Sequence, residues 1–166
     1  MKELVRRHPA NPVITVADIP GRANCVFNSG AVVHDNQIVM LLSTWVSDWT
    51  PQFLVGRSDD GVHFTVSPRN MVHPPREYPY VQHEGIFDTR ITPLEGWYYI
   101  TYNVASRLGG RIILARTRDF TEIETIDYIT GPDHRNCVLF PEKIGGQYVR
   151  LERPNINDAG DIYISP

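Results

Sequence analysis

Asn28-Ser29-Gly30-Ala31-Val32, Phe87-Asp88-Thr89-Arg90-Ile91 and Asn136-Cys137-Val138-Leu139-Phe140 are three versions of one strand, each with a polar residue where a buried strand is expected to be apolar. Each leads into a short turn: His34-Asp35-Asn36-Gln37, Pro93-Leu94-Glu95-Gly96 and Lys143-Ile144-Gly145-Gly146. A second apolar strand follows each turn, beginning at Ile38, Trp97 and Gln147. Superposing the turns aligns Asn28, Asp88 and Asn136, 60 and 48 residues apart. A self-similar unit of that length marks a repeat architecture, and strand-turn-strand content points to the blades of a β-propeller. In such a fold the three polar residues converge on one axis.

The rest of the chain agrees with an all-β reading. Short β-branched and aromatic runs alternate with Gly, Pro, Asn and Asp clusters, and no segment holds a helical apolar period over a dozen residues. The repeat extends past one hairpin: Phe53 to Phe64 matches Ile112 to Phe120, and Asp161 to Pro166 begins a third copy. The Pro-rich stretch from Ser67 to Tyr80 reads as a surface connection, because proline cannot donate to a ladder. The irregular Thr130-Gly131-Pro132-Asp133-His134 segment is expected to set Arg135 and Asn136 at the mouth of the axis.

Composition narrows the partners. The chain has 166 residues, 42% of them hydrophobic, and a net charge of −3 without a basic block, which offers no footprint for nucleic acid or an anionic membrane. No apolar run approaches the roughly 20 residues of a membrane helix, and the N-terminus lacks the apolar core of a signal peptide. The expected location is the cytoplasm. Cys25 and Cys137 are far apart and read as free thiols, with no metal or disulfide implied.

Asp88 is the leading chemical candidate. A carboxylate on an inner strand must be paired, because an unpaired buried charge costs several kcal/mol. Either Asp88 serves a reaction, or Asp88 and Arg90, two apart on one strand, neutralise each other. Trp45, Trp49 and Tyr80 are candidate sugar-stacking walls, whereas Trp97, Tyr98 and Tyr99 read as core.

Taken together, Phe27-Asn28-Ser29-Gly30-Ala31, Glu84-Gly85-x-x-Asp88-x-Arg90-Ile91-Thr92, Ala115-x-Thr117-x-Asp119-Phe120 and the block from Arg135-Asn136 to Arg153-Pro154 resemble glycoside hydrolase family 130. That family contains β-mannoside phosphorylases and some β-mannosidases on a five-bladed propeller. The resemblance implies that residues 1–166 are the N-terminal portion of one such domain, supplying about three blades, with either further chain or a homo-oligomer closing the ring. Two departures stand out: Ser43 or Thr44 occupies the place of an arginine common in the family, and Thr89 that of a proline in several members.

The resemblance also implies roles. Asp88 would be the general acid, protonating the departing glycosidic oxygen through a hydroxyl of the mannose. Arg135, Asn136, Lys143 and Arg153 match phosphate-holding positions, although Lys143 beside a glycine turn, and Arg135 and Arg153, could also be ordinary loop residues. Asn28 and Ser29 match residues near the bound sugar, and Arg90 and Trp45 complete the expected substrate contacts. One acid facing several cations, without an obvious second carboxylate, favours inverting phosphorolysis of a β-mannoside to α-mannose 1-phosphate. Inorganic phosphate would be the co-substrate, and no cofactor or metal is required. Hydrolysis with Glu142 activating water, and a non-catalytic sugar-binding fragment, are the alternatives.

Overall fold

Three reversals of one kind organise the chain. Asp35 and Asn36 (φ 49° and 62°), Glu95 and Gly96 (51° and 75°), and Gly145 and Gly146 (60° and 80°) each place two successive residues in the left-handed region. Positive φ at both central residues defines the hairpin turn whose twist matches that of the flanking strands. The sequences Asp-Asn, Glu-Gly and Gly-Gly supply residues that mostly tolerate it.

The computed structural model describes residues 5–71, 85–106, 109–155 and 160–166. The first sheet is the antiparallel meander β1 (Ala23–His34), β2 (Gln37–Val46), β3 (Pro51–Ser58) and β4 (Thr65–Val66). The second repeats it with β5 (Ile86–Leu94), β6 (Trp97–Val104), β7 (Arg111–Thr117) and β8 (Glu124–Tyr128). The third has β9 (His134–Leu139), β10 (Arg150–Pro154) and β11 (Tyr163–Ser165), in which Leu151 pairs with Ile164. The architecture is all-β, and among the described residues the three sheets do not close on one another. Among the described residues no helix is long and apolar enough to cross a membrane.

One apolar cluster joins the first two sheets, with Val39, Leu41, Phe53 and Val55 meeting Ile86, Ile100, Tyr102, Val104 and Ile113. Phe53 and Tyr102 meet edge to face at 5.1 Å. Burying a side chain the size of Phe53 contributes about 1.5–3 kcal/mol. The sheets are also stitched by threonines. Gly30 N–H donates to Thr89 Oγ1 at 2.7 Å, and the Thr89 hydroxyl donates to the Leu41 carbonyl at 3.0 Å. Thr101 and Thr92 do the same toward the third sheet, donating to the Cys137 and Leu139 carbonyls at 2.5 and 3.2 Å. The seam is too tight for a side chain on its partner: a Cβ on Gly30 would lie 3.0 Å from both Ile91 Cγ1 and the Thr89 carbonyl oxygen.

The turns after β3 and β7 are a second repeated device. Ser58 Oγ accepts from the Gly61 amide, while Asp60 Oδ1 accepts from the Val62 and His63 amides, both at 2.8 Å. Thr117 Oγ1 accepts from the Phe120 amide, and Asp119 Oδ1 from that of Thr121. Gly61 (φ 76°) thus has Phe120 (φ 61°) as its counterpart. A left-handed phenylalanine costs roughly 1–2 kcal/mol, and burial of its ring against Tyr98 (4.9 Å) and His34 (5.8 Å) offsets this.

Two outcomes are expected. Thr89→Val strands the Gly30 donor and the Leu41 carbonyl, and lowers stability in urea unfolding by about 2–4 kcal/mol at the usual cost of unsatisfied buried groups. The bond to His63 and the backbone amides hold the Asp60 carboxyl below the usual aspartate range. A depressed native value stabilises the fold above the unfolded value of about 4 and is lost as pH falls below it. Unfolding midpoints measured from pH 6 to pH 3 therefore fall less steeply for Asp60→Asn than for the unsubstituted protein.

Candidate active site

Each of the aligned polar residues stands at a β-bulge. Phe27 pairs with Ser43 and Gly30 with Leu41, so Asn28 and Ser29 together oppose Leu42. Phe87 pairs with Asn103 and Arg90 with Thr101, so Asp88 and Thr89 together oppose Tyr102. Arg135 pairs with Arg153 and Cys137 with Glu152, leaving Asn136 as the extra residue. The bulged residues have φ of 42°, 59° and 56°. Asn and Asp are the non-glycine residues that best tolerate this region. The backbone requirement therefore selects the residue type, and the bulge re-aims the side chain out of the strand's alternation.

The three side chains meet. Asn28 Nδ2 donates to Asp88 Oδ1 at 2.5 Å, and Asn103 Nδ2 donates to Asp88 Oδ2 at 3.2 Å. Asn103 Nδ2 also reaches Asn136 Oδ1 at 3.2 Å, and Asn103 Oδ1 accepts from the Asn136 backbone N–H at 3.2 Å. Turning the Asn136 amide by a half-rotation aims its nitrogen at Asp88 Oδ2 (2.9 Å) and lets its oxygen accept from Arg153 Nη2 (3.3 Å). Among the described residues Asp88 has no ion pair within 4 Å. Its partners there are the uncharged amides of Asn28 and Asn103.

Arg90 does not neutralise Asp88. The intervening bulge removes the simple two-residue alternation, and Arg90 Nη1 instead donates to the Thr89 carbonyl at 2.8 Å. Arg90, Asn136 and Arg153 line one cavity of about 220 Å³ with Val138 and Leu151. Arg135 is exposed and faces Arg153 across the ladder. Ser29 Oγ is 3.4 Å from the Phe27 carbonyl. Trp45 packs edge-on to Phe27 (6.1 Å) and to Trp49 (5.6 Å), which is 63% exposed. Tyr80 and Glu84 lie outside the described residues.

Lys143 stands apart. Its Nζ lies 2.8 Å from Glu95 Oε1, and Tyr148 O–H donates to Glu95 Oε2 at 2.6 Å. Those bonds hold the Glu95 carboxyl below its ordinary range, the Lys143 bond most strongly. Glu95 follows the β5 strand whose start carries Asp88, on the order of 20 Å away at the rise of a strand. Glu142 is exposed beside Lys143 on the same connection.

Comparison with known proteins decides the family. The profile of glycoside hydrolase family 130, described as β-1,4-mannooligosaccharide phosphorylase, matches residues 3–165. The chain belongs to this family. A β-1,2-mannobiose phosphorylase of Listeria innocua is 34% identical over 110 residues, covering 66% of this chain and 30% of that protein. A β-1,4-mannooligosaccharide phosphorylase of Ruminococcus albus is 30% identical over 173 residues, 99% of this chain and 51% of that one. The chain thus spans about half or less of the length of these relatives. Among solved structures, the Listeria innocua β-1,2-mannobiose phosphorylase in complex with β-1,2-mannobiose superposes with a TM-score of 0.83 at 23% identity, covering 95% of this chain and 61% of that one. It supports the fold.

Two residues of this family 130 chain escaped the sequence reading. Asn103 is 2% exposed and sits in the apolar run Trp97–Val104, where its polarity in an otherwise hydrophobic middle strand was the available signal. Thr89, which stands where several family members have proline, carries the seam to the first sheet. The Cys137 thiol is buried, which pushes its pKa up to about 12, and takes no part in this network. Asn28→Gly, which keeps the positive φ of 42° without a Cβ penalty, is expected to free Asp88 Oδ1 without loosening the core. The check is an unchanged unfolding midpoint together with loss of the Asn28–Asp88 contact in a crystal structure.

Proposed function

We propose that the protein catalyses inverting phosphorolysis of a β-mannoside, of the mannosyl-glucose or β-1,4-manno-oligosaccharide type, releasing α-mannose 1-phosphate. The three sheets are then successive blades of a five-bladed propeller of which this chain supplies about three, with β1, β5 and β9 nearest the axis. One observation carries the reading. Asp88, held among the described residues by amides, stands next to a cavity bounded by Arg153, and Arg153 faces Arg135 across the β9–β10 ladder. Like charges directly opposite one another are destabilising on a sheet, and a bound dianion reverses the sign of that interaction.

The chemistry follows from that arrangement. Inversion needs an acid on one face of the sugar and a nucleophile on the other, with room for a third molecule between them. Asp88 provides the acid and sends its proton toward the glycosidic oxygen. Phosphate is already charged at neutral pH and needs no base. It needs cations, and guanidinium forks match its oxygens in pairs. Arg153 and Arg135 fill that role, with Asn136 adding an amide and Arg90 lining the same cavity. Asn28 and Ser29, on the first sheet beside Asp88, and Trp45 are the sugar-side contacts. Lys143 is left out of the phosphate site, since Glu95 already claims it. No further cofactor is needed, and the two free cysteines suit a cytoplasmic enzyme.

The test is incubation with β-1,4-mannobiose or mannosyl-glucose, with and without phosphate. Mannose 1-phosphate formed only when phosphate is present is the expected result; free mannose formed without it would mean hydrolysis, and no product would leave a sugar-binding role. Asp88→Asn is expected to cut turnover about 100- to 10,000-fold, the usual contribution of a general acid. Arg153→Met raises the KM for phosphate, whereas Lys143→Met leaves it unchanged, as initial rates over a phosphate series would read.

A further inference from the structure

We infer that Asn103 is a positioning residue that fixes the acidic proton of Asp88 on Oδ1. This rests on the reading of Asp88 as the general acid. Asn103 lies in the middle strand of the second sheet, 2% exposed, opposite Phe87 at the edge of the Asp88 bulge. An amide at such a place costs stability unless it is bonded, and a leucine of similar size would carry no such cost. Both ends of this amide are bonded. Oδ1 accepts from the backbone N–H of Asn136, the extra residue of the β9 bulge, and Nδ2 donates to Asp88 Oδ2. One side chain from a third strand therefore ties together two bulges that belong to different sheets.

The proton's address follows from counting lone pairs. Each carboxyl oxygen has two. Oδ2 accepts from Asn103 at 3.2 Å and, with the Asn136 amide turned, from Asn136 at 2.9 Å, so both of its lone pairs are taken. Among the described residues Oδ1 accepts only from Asn28. Its second position is the one open to a proton. In the reaction the Oδ1–H bond breaks and its proton passes toward the glycosidic oxygen. The C1–O bond breaks with its electron pair going to that oxygen, and a phosphate oxygen bonds to C1. The proton carried in by hydrogen phosphate restores the carboxyl, so the cycle balances. Without the Asn103 donor, Oδ2 regains a free lone pair. The proton then divides between two oxygens, one of them facing away from the leaving group.

The experiment compares two substrates in the presence of phosphate: β-1,4-mannobiose, whose leaving oxygen needs a proton, and 2,4-dinitrophenyl β-mannoside, whose leaving group departs without one. Asn103→Leu and Asn103→Ser, checked for folding by circular dichroism, are expected to lower kcat on mannobiose about 100-fold at little changed KM, within the range of a general acid's contribution. The ratio of mannobiose to dinitrophenyl activity falls at least about tenfold, a readout that a merely structural loss does not move. Asn103→Asp, which keeps the acceptor for Asn136 N–H and removes the donor to Asp88, shows the same fall. Equal losses on both substrates, an unchanged ratio, or failure of all three variants to fold would make Asn103 structural and overturn the inference. If the unsubstituted protein turns over neither substrate, or only the dinitrophenyl one, the general-acid reading fails and the inference goes with it.

Discussion

The left-handed bulge is the constraint on which the site depends. A regular strand sends successive side chains to opposite faces, so a polar residue on an inner strand would point either into the core or into the neighbouring sheet. An extra residue at positive φ breaks that alternation once, locally, and re-aims a single side chain. The chain does this at Asn28, Asp88 and Asn136, on the first strand of each of three sheets. Asn and Asp recur there because the backbone excludes most other residues, and the same two residue types are the ones able to bond one another through amide and carboxyl groups. Fold and chemistry therefore make the same demand at these positions.

The bulges can meet only because the sheets are held at a fixed approach. Thr89 bridges the second sheet to the first, and Thr92 and Thr101 bridge it to the third. Each hydroxyl donates to a backbone carbonyl of the neighbouring sheet, at Leu41, Leu139 and Cys137, the last of them next to Asn136. Gly30 sets how near β1 and β5 can come. A looser seam would carry Asn28 away from Asp88 without unfolding either sheet, so tight packing between the sheets is part of the site.

Charge is distributed unevenly over this frame. Amides surround Asp88, guanidinium groups gather on β9, β10 and the neighbouring Arg90, and the ammonium of Lys143 is held by Glu95 at the far end of the hairpins. A cation in direct contact with a carboxyl favours its charged form. Placing amides between Asp88 and Arg153 keeps the proposed acid and the proposed anion site adjacent without letting one neutralise the other. Asn136 occupies the boundary, since its amide faces Asp88 from one end and Arg153 from the other.

Much of this was legible in the chain itself. The strand-turn-strand repeat, the turns at Asp35-Asn36, Glu95-Gly96 and Gly145-Gly146, and the alignment of Asn28 with Asp88 and Asn136 all follow from local rules, because turn chemistry and strand period act over a few residues. Those same rules do not say which side chains from different sheets touch. Asn103 reads as one polar residue in an apolar strand until sheet packing brings it between two bulges. Arg90 reads as a partner for Asp88 until the bulge turns the intervening backbone, and Lys143 reads as part of a cationic cluster until Glu95 is found beside it. By itself the sequence determined the repeat and the residue types at its special backbone positions. Only the tertiary structure decided which of those residues share a site, since distances between sheets arise from the packing of their faces and leave no local periodic mark.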